Sequence, residues 1–442
     1  MFVSTLRLIN FRSYCDASVS FGDGLNVVVG DNATGKTNLL EGAWYALRGS
    51  SPRTRREDKL MTWGERFSRV ELQLDGRAAG PQAVEAGFAP GQGKRMRWNG
   101  ADVASLEDLR GRSQVFIFVP ESLLLVKGSP ARRRAHLDTF AAALDPAYAA
   151  AARDAQAALR QRNAQLYAVK HGASEAALDP WDVQFARAAV ELGRRRRDLV
   201  DELAVSYAAA AADLAPAGET FTVQLVTQLA GVGYDEESLA DELRRRRPGE
   251  TARGLSLFGP HRDDLRFLEV PRDAPRSAAG DTAGAEPGGA SPGDVRAADD
   301  AAPGDAGPKV VLPSGPVCGP VDLPRGGRDL RLFGSQGEQR AAVLALLLAE
   351  QRLAASRTGE QGTLFLDDVM SELDDARRRL LVRRLASAGQ SIITTTNRHY
   401  FTEDELAAAT VIELPLDGAL AVGAVLPPAD AGAPAPPEMD AL

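Results

Sequence analysis

Apolar and polar positions alternate over the first thirty residues, which is the pattern of half-buried β-strands. The alternation predicts strands over residues 3–12 and 17–21. A third strand is predicted at Leu25–Val29, where three consecutive valines indicate burial on both faces. We predict that the next four strand-like runs form one small mixed sheet: Val70–Leu74, Ala83–Phe88, Arg95–Trp98 and Val115–Val119.

The apolar period changes to three or four residues at Ala135, which predicts helices. One stripe contains Leu137, Phe140, Leu144, Tyr148, Ala151, Ala155 and Leu159, and the other, opened by Pro180, runs from Trp181 to Leu214. Two long helices joined by a short loop predict an antiparallel hairpin, an arm that projects from the rest of the protein. A strand at Phe221–Leu225 and a charged helix at Ser238–Arg247 follow.

Two segments are too poor in large apolar residues to form a core. Residues 271–328 contain eleven glycines and ten prolines, and residues 426–442 are rich in alanine and proline. Such composition predicts disorder, because little apolar burial offsets the entropy of ordering. The predicted units are therefore an α/β head made of residues 1–134, 256–270 and 329–425, a helical arm at 135–255, the 271–328 insertion and the tail.

The net charge is −8, and the two predicted disordered segments contribute −2 and −3 of it. The remaining −3 excludes a uniformly basic protein that coats DNA, although local basic patches remain possible. Two distant cysteines give no metal spacing or disulfide framework. With no signal peptide and no apolar run as long as a membrane span, the chain is expected in the cytoplasm, away from membranes.

A phosphate-binding loop is predicted between the valine strand and an apolar helix. The spacing Gly-x-x-x-x-Gly-Lys-Thr lies at Gly30, Asp31, Asn32, Ala33, Thr34, Gly35, Lys36 and Thr37, followed by Asn38. Backbone N–H groups and the helix N-terminus would bind a polyphosphate, Lys36 would reach the β- and γ-phosphates, and Thr37 would hold Mg²⁺. The alternative, a glycine-rich turn with a surface lysine, does not explain why strand and helix flank the motif. A nucleoside triphosphate site is therefore predicted.

A second candidate site begins a later helix at Ser335, Gln336 and Gly337. Ser335 and Glu338 have capping-box spacing, which is a purely structural explanation. The same geometry also offers a hydroxyl and free N–H groups to an anion. This short motif alone does not separate the two explanations.

Two carboxylates follow the apolar strand Thr363–Leu366. A buried strand that delivers an aspartate to the carboxyl edge of a sheet is the usual Mg²⁺-side partner of a phosphate loop. Asp367 is the predicted Mg²⁺ ligand and Asp368 the general base for the attacking water. The alternative is an aspartate that only caps a turn. Lys36, Ser335 and Asp368 are the predicted catalytic residues.

Together the three motifs resemble the split ABC-type ATPase heads of the SMC and Rad50 class, and within it the RecF family. Four stretches carry this resemblance: Gly30–Asn38; residues 118–134, which contain Lys127-Gly128-Ser129-Pro130; residues 259–265, Gly-Pro-His-Arg-Asp-Asp-Leu; and residues 367–374, Asp-Asp-Val-Met-Ser-Glu-Leu-Asp. The insertion at 271–328 is foreign to the family pattern. Asp368 replaces the glutamate of many ABC ATPases, and Thr396-Asn397 replace their switch histidine, which fits a slow, switch-like ATPase.

The resemblance implies an ATP-dependent homodimer that binds DNA at junctions of duplex and single strand. It also implies cooperation with the mediator proteins RecR and RecO in loading a recombinase at gaps. In that architecture Ser335 and Gly337 of one subunit complete the ATP site of the other.

Basic clusters at Arg53/Arg55/Arg56, Arg132–Arg134, Arg194–Arg197 and Arg244–Arg247 are candidate DNA contacts. Each could instead be a solvated helix face or loop. The competing hypotheses are an SMC-like tether, against which the short arm argues, and the ATPase half of a defence nuclease. The nuclease hypothesis requires a further acidic metal site.

Overall fold

The computed structural model describes residues 1–76, 80–214, 220–270 and 328–415. In these ranges the strands are β1 (Phe2–Phe11), β2 (Tyr14–Ser20), β3 (Leu25–Val29), β4 (Ser68–Asp75), β5 (Gln82–Ala89), β6 (Gly93–Trp98), β7 (Ala101–Asp102), β8 (Val115–Phe118), β9 (Thr220–Val226), β10 (Asp264–Val270), β11 (Arg328–Asp329), β12 (Thr363–Leu366), β13 (Ser391–Thr395) and β14 (Thr410–Glu413). The helices are α1 (Lys36–Arg48), α2 (Leu106–Arg112), α3 (Leu124–Lys127), α4 (Pro130–Leu144), α5 (Pro146–Lys170), α6 (Asp179–Leu214), α7 (Glu236–Arg253), α8 (Leu330–Phe333), α9 (Gln336–Thr358), α10 (Asp375–Leu385) and α11 (Glu403–Ala407).

A five-stranded parallel sheet in the order β14-β3-β13-β12-β8 forms the centre of the head. The assignment of Val115–Val119 to the small mixed sheet is wrong, because β8 pairs in parallel with β12 at the edge of this central sheet. Four apolar residues in a row carry no information about which strand they pair with. The other three predicted runs do share a sheet, which is antiparallel throughout and has the order β2-β1-β4-β5-β6-β7.

Helix α1 lies between the two sheets. Adjacent residues of β3 belong to two different hydrophobic cores, one on each face of the parallel sheet. Val28 packs with α1 and the antiparallel sheet, whereas Val27 packs on the opposite face with α9 and the helical part of the chain. Successive side chains of a strand point to opposite faces, so the apolar run of β3 buries both. The parallel sheet is thus covered on each side, and its carboxyl edge remains open for a site.

The predicted first arm helix is two helices. Pro146 cannot donate a backbone hydrogen bond, and it holds Asp145 in an extended conformation (φ −138°, ψ 106°) that ends α4. The Asp145 side chain then caps α5 by accepting from the Ala147 N–H at 2.8 Å. The helical region also starts earlier than the predicted Ala135, because α4 begins at Pro130.

The second arm helix, α6, is 36 residues long and begins at Asp179-Pro180 as predicted. Its C-terminal half does not project from the head: Leu203, Tyr207 and Leu214 belong to the same core as Leu344 and Leu348 of α9. Its N-terminal half packs with α7 around Phe185 and Leu243. The arm is therefore anchored in the head along half of its longest helix.

The predicted insertion (271–328) and tail (426–442) lie outside the described residues, except Arg328. That residue begins β11, which pairs antiparallel with the end of β10 through Glu269↔Arg328. No helix within the described ranges combines the length and apolar character needed to cross a membrane.

Candidate nucleotide-binding site

Three parallel strands bring the predicted site residues to one edge of the central sheet. The phosphate loop follows β3, the two aspartates follow β12, and β13 between them ends in Thr394-Thr395. The carboxyl ends of parallel strands meet at a common edge, which is where open α/β sheets bind ligands. The sheet order therefore assembles residues that lie more than 300 positions apart in sequence.

The two motif glycines are required by space and by backbone conformation. A Cβ at Gly30 would lie 2.6 Å from the Thr34 hydroxyl, too close for any other residue. Gly35 has φ +102°, and its Cβ would approach the Tyr14 hydroxyl to 2.7 Å. Between them, Asp31, Asn32 and Ala33 are exposed, and the Thr34 N–H and hydroxyl both donate to the Asp31 carbonyl.

Lys36 is only 7% exposed and lies inside the loop. Its Nζ donates to the carbonyls of Gly30 and Asp31, each at 2.7 Å. Burial lowers the pKa of Lys36, and the charges of Asp368, Asp367 and Asp31 partly oppose that shift. The ammonium is thus held at the loop by weak acceptors that a phosphate oxygen can replace.

The Thr37 hydroxyl and the Asp367 carboxylate are in direct contact. Thr37 Oγ1 lies 3.0 and 2.8 Å from the two carboxylate oxygens, and Thr394 Oγ1 donates to Oδ1 at 2.8 Å. Burial raises the pKa of Asp367, helped by the charge of Asp368 and opposed by the two threonine hydrogen bonds. A buried carboxylate beside a hydroxyl offers the hard oxygen ligands that Mg²⁺ prefers, so these residues fit a magnesium ion.

Asp368 has different surroundings from Asp367. Its backbone is left-handed (φ 46°, ψ 31°), and its N–H donates to Thr394 Oγ1 at 2.9 Å. Its Oδ1 is buried and has no hydrogen-bond partner among the described residues. A carboxylate oxygen without a partner at this edge is free to accept a proton from a bound water.

A layer of polar contacts behind the loop was not predicted. Glu41, fully buried on α1, receives two hydrogen bonds from Arg12 and a third from Arg53. Arg53 also donates to Asn38, which itself donates to Ser13. Arg53 therefore supports the loop helix, and no sequence spacing connects it with Glu41 and Arg12. Thr394, the shared partner of both aspartates, could be found only from strand order.

Ser335 lies at the N-terminus of α9, and the capping box is present. Glu338 N–H donates to Ser335 Oγ at 3.2 Å, and Ser335 N–H donates to the Glu338 carboxylate at 2.7 Å. Ser335 and Gln336 are exposed, and a Cβ at Gly337 would have only Arg377 nearby, at 3.9 Å. No hydrogen bond between described residues joins Ser335, Gln336 or Gly337 to the phosphate loop. Within one chain, this part of the predicted site stands apart from the rest.

Several arginines proposed as DNA contacts are buried in ion pairs, so their interpretation as a DNA surface or a solvated face is wrong. Arg133, Arg196 and Arg247 are 3%, 2% and 8% exposed. They pair with Asp264, with Asp138 and Asp263, and with Asp179 and Asp182, respectively. A run of arginines on a helix covers its whole circumference, so at least one member must face the interior.

The Arg133–Asp264 pair joins two of the stretches that carry the family resemblance, and the Arg196–Asp263 pair ties the second of them to α6. Arg133 donates twice to Asp264, at 2.6 and 2.9 Å, and Arg134 donates to the Asp263 carbonyl. Residues 118–134 and 259–265 are thus parts of one buried network. Burial raises the pKa of Asp263, and Arg196 and the Thr227 hydroxyl act against that shift.

The replacement for the switch histidine stays a prediction. Asn397 caps the short turn that follows β13 by accepting from the His399 N–H at 2.9 Å, and Thr395 Oγ1 donates to the Asn397 carbonyl. Elsewhere, no group of three or more His, Cys, Asp and Glu residues in the described ranges is arranged to hold a metal ion. The extra acidic centre that a nuclease requires is therefore missing from that part of the chain.

Comparison with known proteins places this site in a family. An AAA domain model matches residues 5–118. The DNA replication and repair protein RecF of Acidothermus cellulolyticus is 34% identical over 395 residues, which cover 86% of this chain and 90% of that protein. A solved structure of the recombination mediator protein RecF-ATPrS in the RecFOR pathway aligns with TM-score 0.70 and 24% identity, over 94% of this chain and 96% of the other.

A more distant neighbour is the Smc head domain with an extended coiled coil from Pyrococcus furiosus. It aligns with TM-score 0.51 and 14% identity over 95% of this chain and 94% of the other. The fold is therefore the α/β fold of ABC-type ATPase heads, with a helical arm inserted in the head.

Proposed function

Because the chain belongs to the RecF family of DNA replication and repair proteins, we propose that it is an ATP-dependent DNA-binding protein of recombinational repair. ATP binding joins two copies, the closed dimer binds DNA at a junction of duplex and single strand, and slow hydrolysis releases it. The observation that carries this proposal is the cluster of Lys36, Thr37, Asp367 and Asp368 at one edge of the central sheet.

ATP binding needs one rearrangement of the loop. Lys36 exchanges the carbonyls of Gly30 and Asp31 for oxygens of the β- and γ-phosphates, while backbone N–H groups from Gly30 to Asn38 surround the polyphosphate. Thr37 and Asp367 are the residues that would hold Mg²⁺, which neutralises phosphate charge when bound. Thr394 keeps the Asp367 carboxylate in place.

Hydrolysis uses Asp368 as the base. The Asp368 carboxylate accepts a proton from water as the water oxygen bonds to the γ-phosphorus, and the bond from that phosphorus to the bridging oxygen breaks to leave ADP. Its neighbour Asp367 has both oxygens occupied by threonine hydroxyls, which supports this division of roles. An aspartate reaches less far than a glutamate, which supports a slow, switch-like ATPase.

The second copy completes the site. At the positive end of a 23-residue helix, Ser335 and Gln336 are exposed and Gly337 is half-buried, and none of the three makes a hydrogen bond to its own loop among the described residues. They would contact the γ-phosphate bound to the partner copy through the hydroxyl and backbone N–H groups. ATP then holds two heads together, and its hydrolysis removes that contact.

The expected DNA and protein partners follow from the family and from the similar solved structure of a recombination mediator protein in the RecFOR pathway. We expect this chain to act with the mediator proteins RecR and RecO at single-strand gaps. Of the exposed arginines in the four basic clusters, Arg55, Arg132 and Arg194 have no ion-pair partner among the described residues and are the candidate phosphate contacts.

DNA binding with and without ATP tests the proposal. Labelled gapped duplex and matched blunt duplex are titrated with the full chain at several salt concentrations, beside Lys36→Ala and the surface control Lys59→Ala. We expect ATP to tighten binding to gapped DNA for the wild type and Lys59→Ala but not for Lys36→Ala. Equal binding of both DNAs, or binding that ignores ATP in the wild type, would contradict the proposed switch.

A further inference from the structure

A cavity at the C-terminal end of α1 is lined by none of the residues assigned to the nucleotide site and has no role in the proposed ATPase cycle. Its volume is about 370 Å³, and it lies where the C-terminal end of α1 and strand β8 meet α4 and α9. Bulky apolar side chains form most of its wall, namely those of Trp44, Phe116, Leu125, Phe140 and Leu347. A space of this size accepts one or two large apolar side chains.

The wall contains three arginines and two glutamates. Arg48 is buried, and within the described residues it donates only to the carbonyls of Arg110, Ser113 and Val115, at 2.9–3.1 Å. Burial, with a smaller contribution from the charge of the neighbouring Arg110, lowers the pKa of Arg48 to about 9. Two guanidinium groups therefore lie close together beside an apolar space, and no carboxylate of the described residues pairs with Arg48.

The other two lining arginines also have no ion-pair partner among the described residues. The Nε of Arg110 is buried without a hydrogen-bond acceptor, and Arg132 is exposed at the mouth. The acids of the cavity do not neutralise them: Glu350 is 2.7 Å from His136, and Glu121 is an exposed residue at the rim. A buried donor without an acceptor is costly, so the cavity is suited to a ligand that brings carboxylates.

The cavity also follows the open edge of the central sheet. Strand β8 is the edge strand, and three consecutive residues of it, Val115, Phe116 and Ile117, line the cavity. Alternate side chains point to opposite faces, so three consecutive lining residues mean that the strand edge itself borders the space. An edge strand offers backbone groups to an extended peptide, which a small molecule cannot use in the same way. On β8 the Val115 carbonyl already accepts from Arg48, so a peptide pairs beyond that residue or displaces this contact.

We propose that this cavity is a docking site for an extended acidic peptide segment of a partner protein. The segment places a bulky apolar side chain between Trp44, Phe116 and Phe140, and its flanking carboxylates bind Arg110 and Arg132. Its backbone lies along the edge of β8. The cavity shares no lining residue with the nucleotide site, so it holds a partner to the head in either nucleotide state.

Binding of a defined probe tests this site. A fluorescein-labelled peptide, Asp-Asp-Leu-Phe-Asp-Asp, is titrated with the full chain by fluorescence polarisation. The matched peptides Lys-Lys-Leu-Phe-Lys-Lys and Asp-Asp-Gly-Ser-Asp-Asp vary charge and apolar content separately. We expect saturable binding of the first peptide only, with or without ATP.

Substitutions assign the binding to the cavity. Arg110→Glu and Arg132→Glu should each weaken binding about tenfold, the loss of one charge-assisted contact. The uncharged variant Thr139→Trp, at an exposed lining position, should block the mouth and also abolish binding. Arg187→Glu, the same charge change on exposed α6 surface, is the matched control and should bind normally. All variants should keep the wild-type melting temperature and ATP affinity, which shows that they are folded.

Any one of four results would overturn the proposal. The first three are that the acidic apolar peptide does not bind, that the basic peptide binds equally well, and that the three cavity variants bind the peptide like Arg187→Glu. Displacement of the peptide by a single-stranded oligothymidylate that the cavity variants no longer bind would identify a nucleic-acid site instead, and the peptide proposal would be wrong. None of these results depends on ATP hydrolysis or dimerisation, so they are distinct from a failure of the proposed function.

Discussion

Adjacent carboxylates at the end of β12 differ in backbone conformation as well as in contacts. Asp367 has both oxygens bound by threonine hydroxyls, whereas Asp368 is left-handed at φ 46° and has a buried oxygen without a partner among the described residues. The left-handed conformation suits Asp and Asn and penalises most other residues. Asparagine is therefore the substitution that changes charge without adding strain at this position.

Asp368→Asn should bind ATP within about twofold of the wild type and hydrolyse it at least about a hundredfold more slowly. The amide cannot accept the water proton, while Thr37, Lys36 and Asp367 keep their contacts. Steady-state phosphate release and equilibrium binding of a fluorescent ATP analogue measure the two effects. Asp368→Ala should show the same slow turnover with an added loss of stability of about 1 kcal/mol from backbone strain. Unchanged hydrolysis in Asp368→Asn would show that another group is the base.

The structure also decides the role of the buried arginines, which form ion pairs inside the protein. Arg133 lies at 3% exposure between Asp264 and the carbonyls of Val126 and Gly128. Removing one partner of such a pair leaves an uncompensated carboxylate inside the protein.

Arg133→Ala should lower the free energy of unfolding by about 3–5 kcal/mol. The exposed neighbour Arg132→Ala should change it by less than about 0.5 kcal/mol. Urea unfolding followed by fluorescence compares the two variants. A stable Arg133→Ala protein with weakened DNA binding would restore the DNA-contact interpretation that the structure rejects.

At the scale of elements, patterns with a fixed local period were predictable and pairings between distant segments were not. The alternation of β1 and the stripe of α6 follow from the residues themselves, and Pro180 marks the start of α6. The sequence contains a signal for the break between α4 and α5 at Asp145-Pro146, but the apolar stripe continues across it and favours one unbroken helix. The partner of β8 depends on tertiary contacts that four apolar residues do not encode.

The same difference between local patterns and contacts of distant segments applies to the residues of the nucleotide-binding site. Gly30, Lys36, Thr37 and Asp367 belong to motifs with known spacing, so the sequence identifies them. Thr394 and Glu41 support those residues from strands and helices whose proximity is decided by sheet order and packing. Such supporting residues have no sequence spacing of their own.

Deleting Ala274–Pro324 should leave ATP binding unchanged and the melting temperature equal or slightly higher. Strands β10 and β11 are already paired at Glu269↔Arg328, and the deletion leaves six residues, two of them glycines, to join Val270 to Arg328. A short connection between paired strands costs less closure entropy than a long one, and the deleted residues offer few large apolar side chains. Calorimetry of the deleted and full chains measures the effect. A large fall in melting temperature would mean that the segment contributes to the core.

At the scale of the whole molecule, the proposed function gives the start of α9 a role in catalysis. Within the described residues, Ser335, Gln336 and Gly337 make no hydrogen bond to the phosphate loop of their own chain, so the proposed role in hydrolysis requires a second copy. Ser335 also has a local role, because its hydroxyl caps α9, and loss of that cap alone costs about 1 kcal/mol. A useful substitution must separate the cap from the contact with phosphate.

Light scattering with and without ATP tests this central claim most directly. The samples are the wild type, Ser335→Arg and Ser335→Asp, with Asp368→Asn included to slow loss of the ATP-bound state. Aspartate keeps the cap but repels a phosphate, and arginine blocks the close approach of the partner copy. We predict that ATP doubles the mass of the wild type and Asp368→Asn from 47.0 kDa, while both Ser335 variants bind ATP and stay monomeric. Dimers of Ser335→Arg and Ser335→Asp with ATP would contradict the shared site and leave Ser335 as a helix cap only.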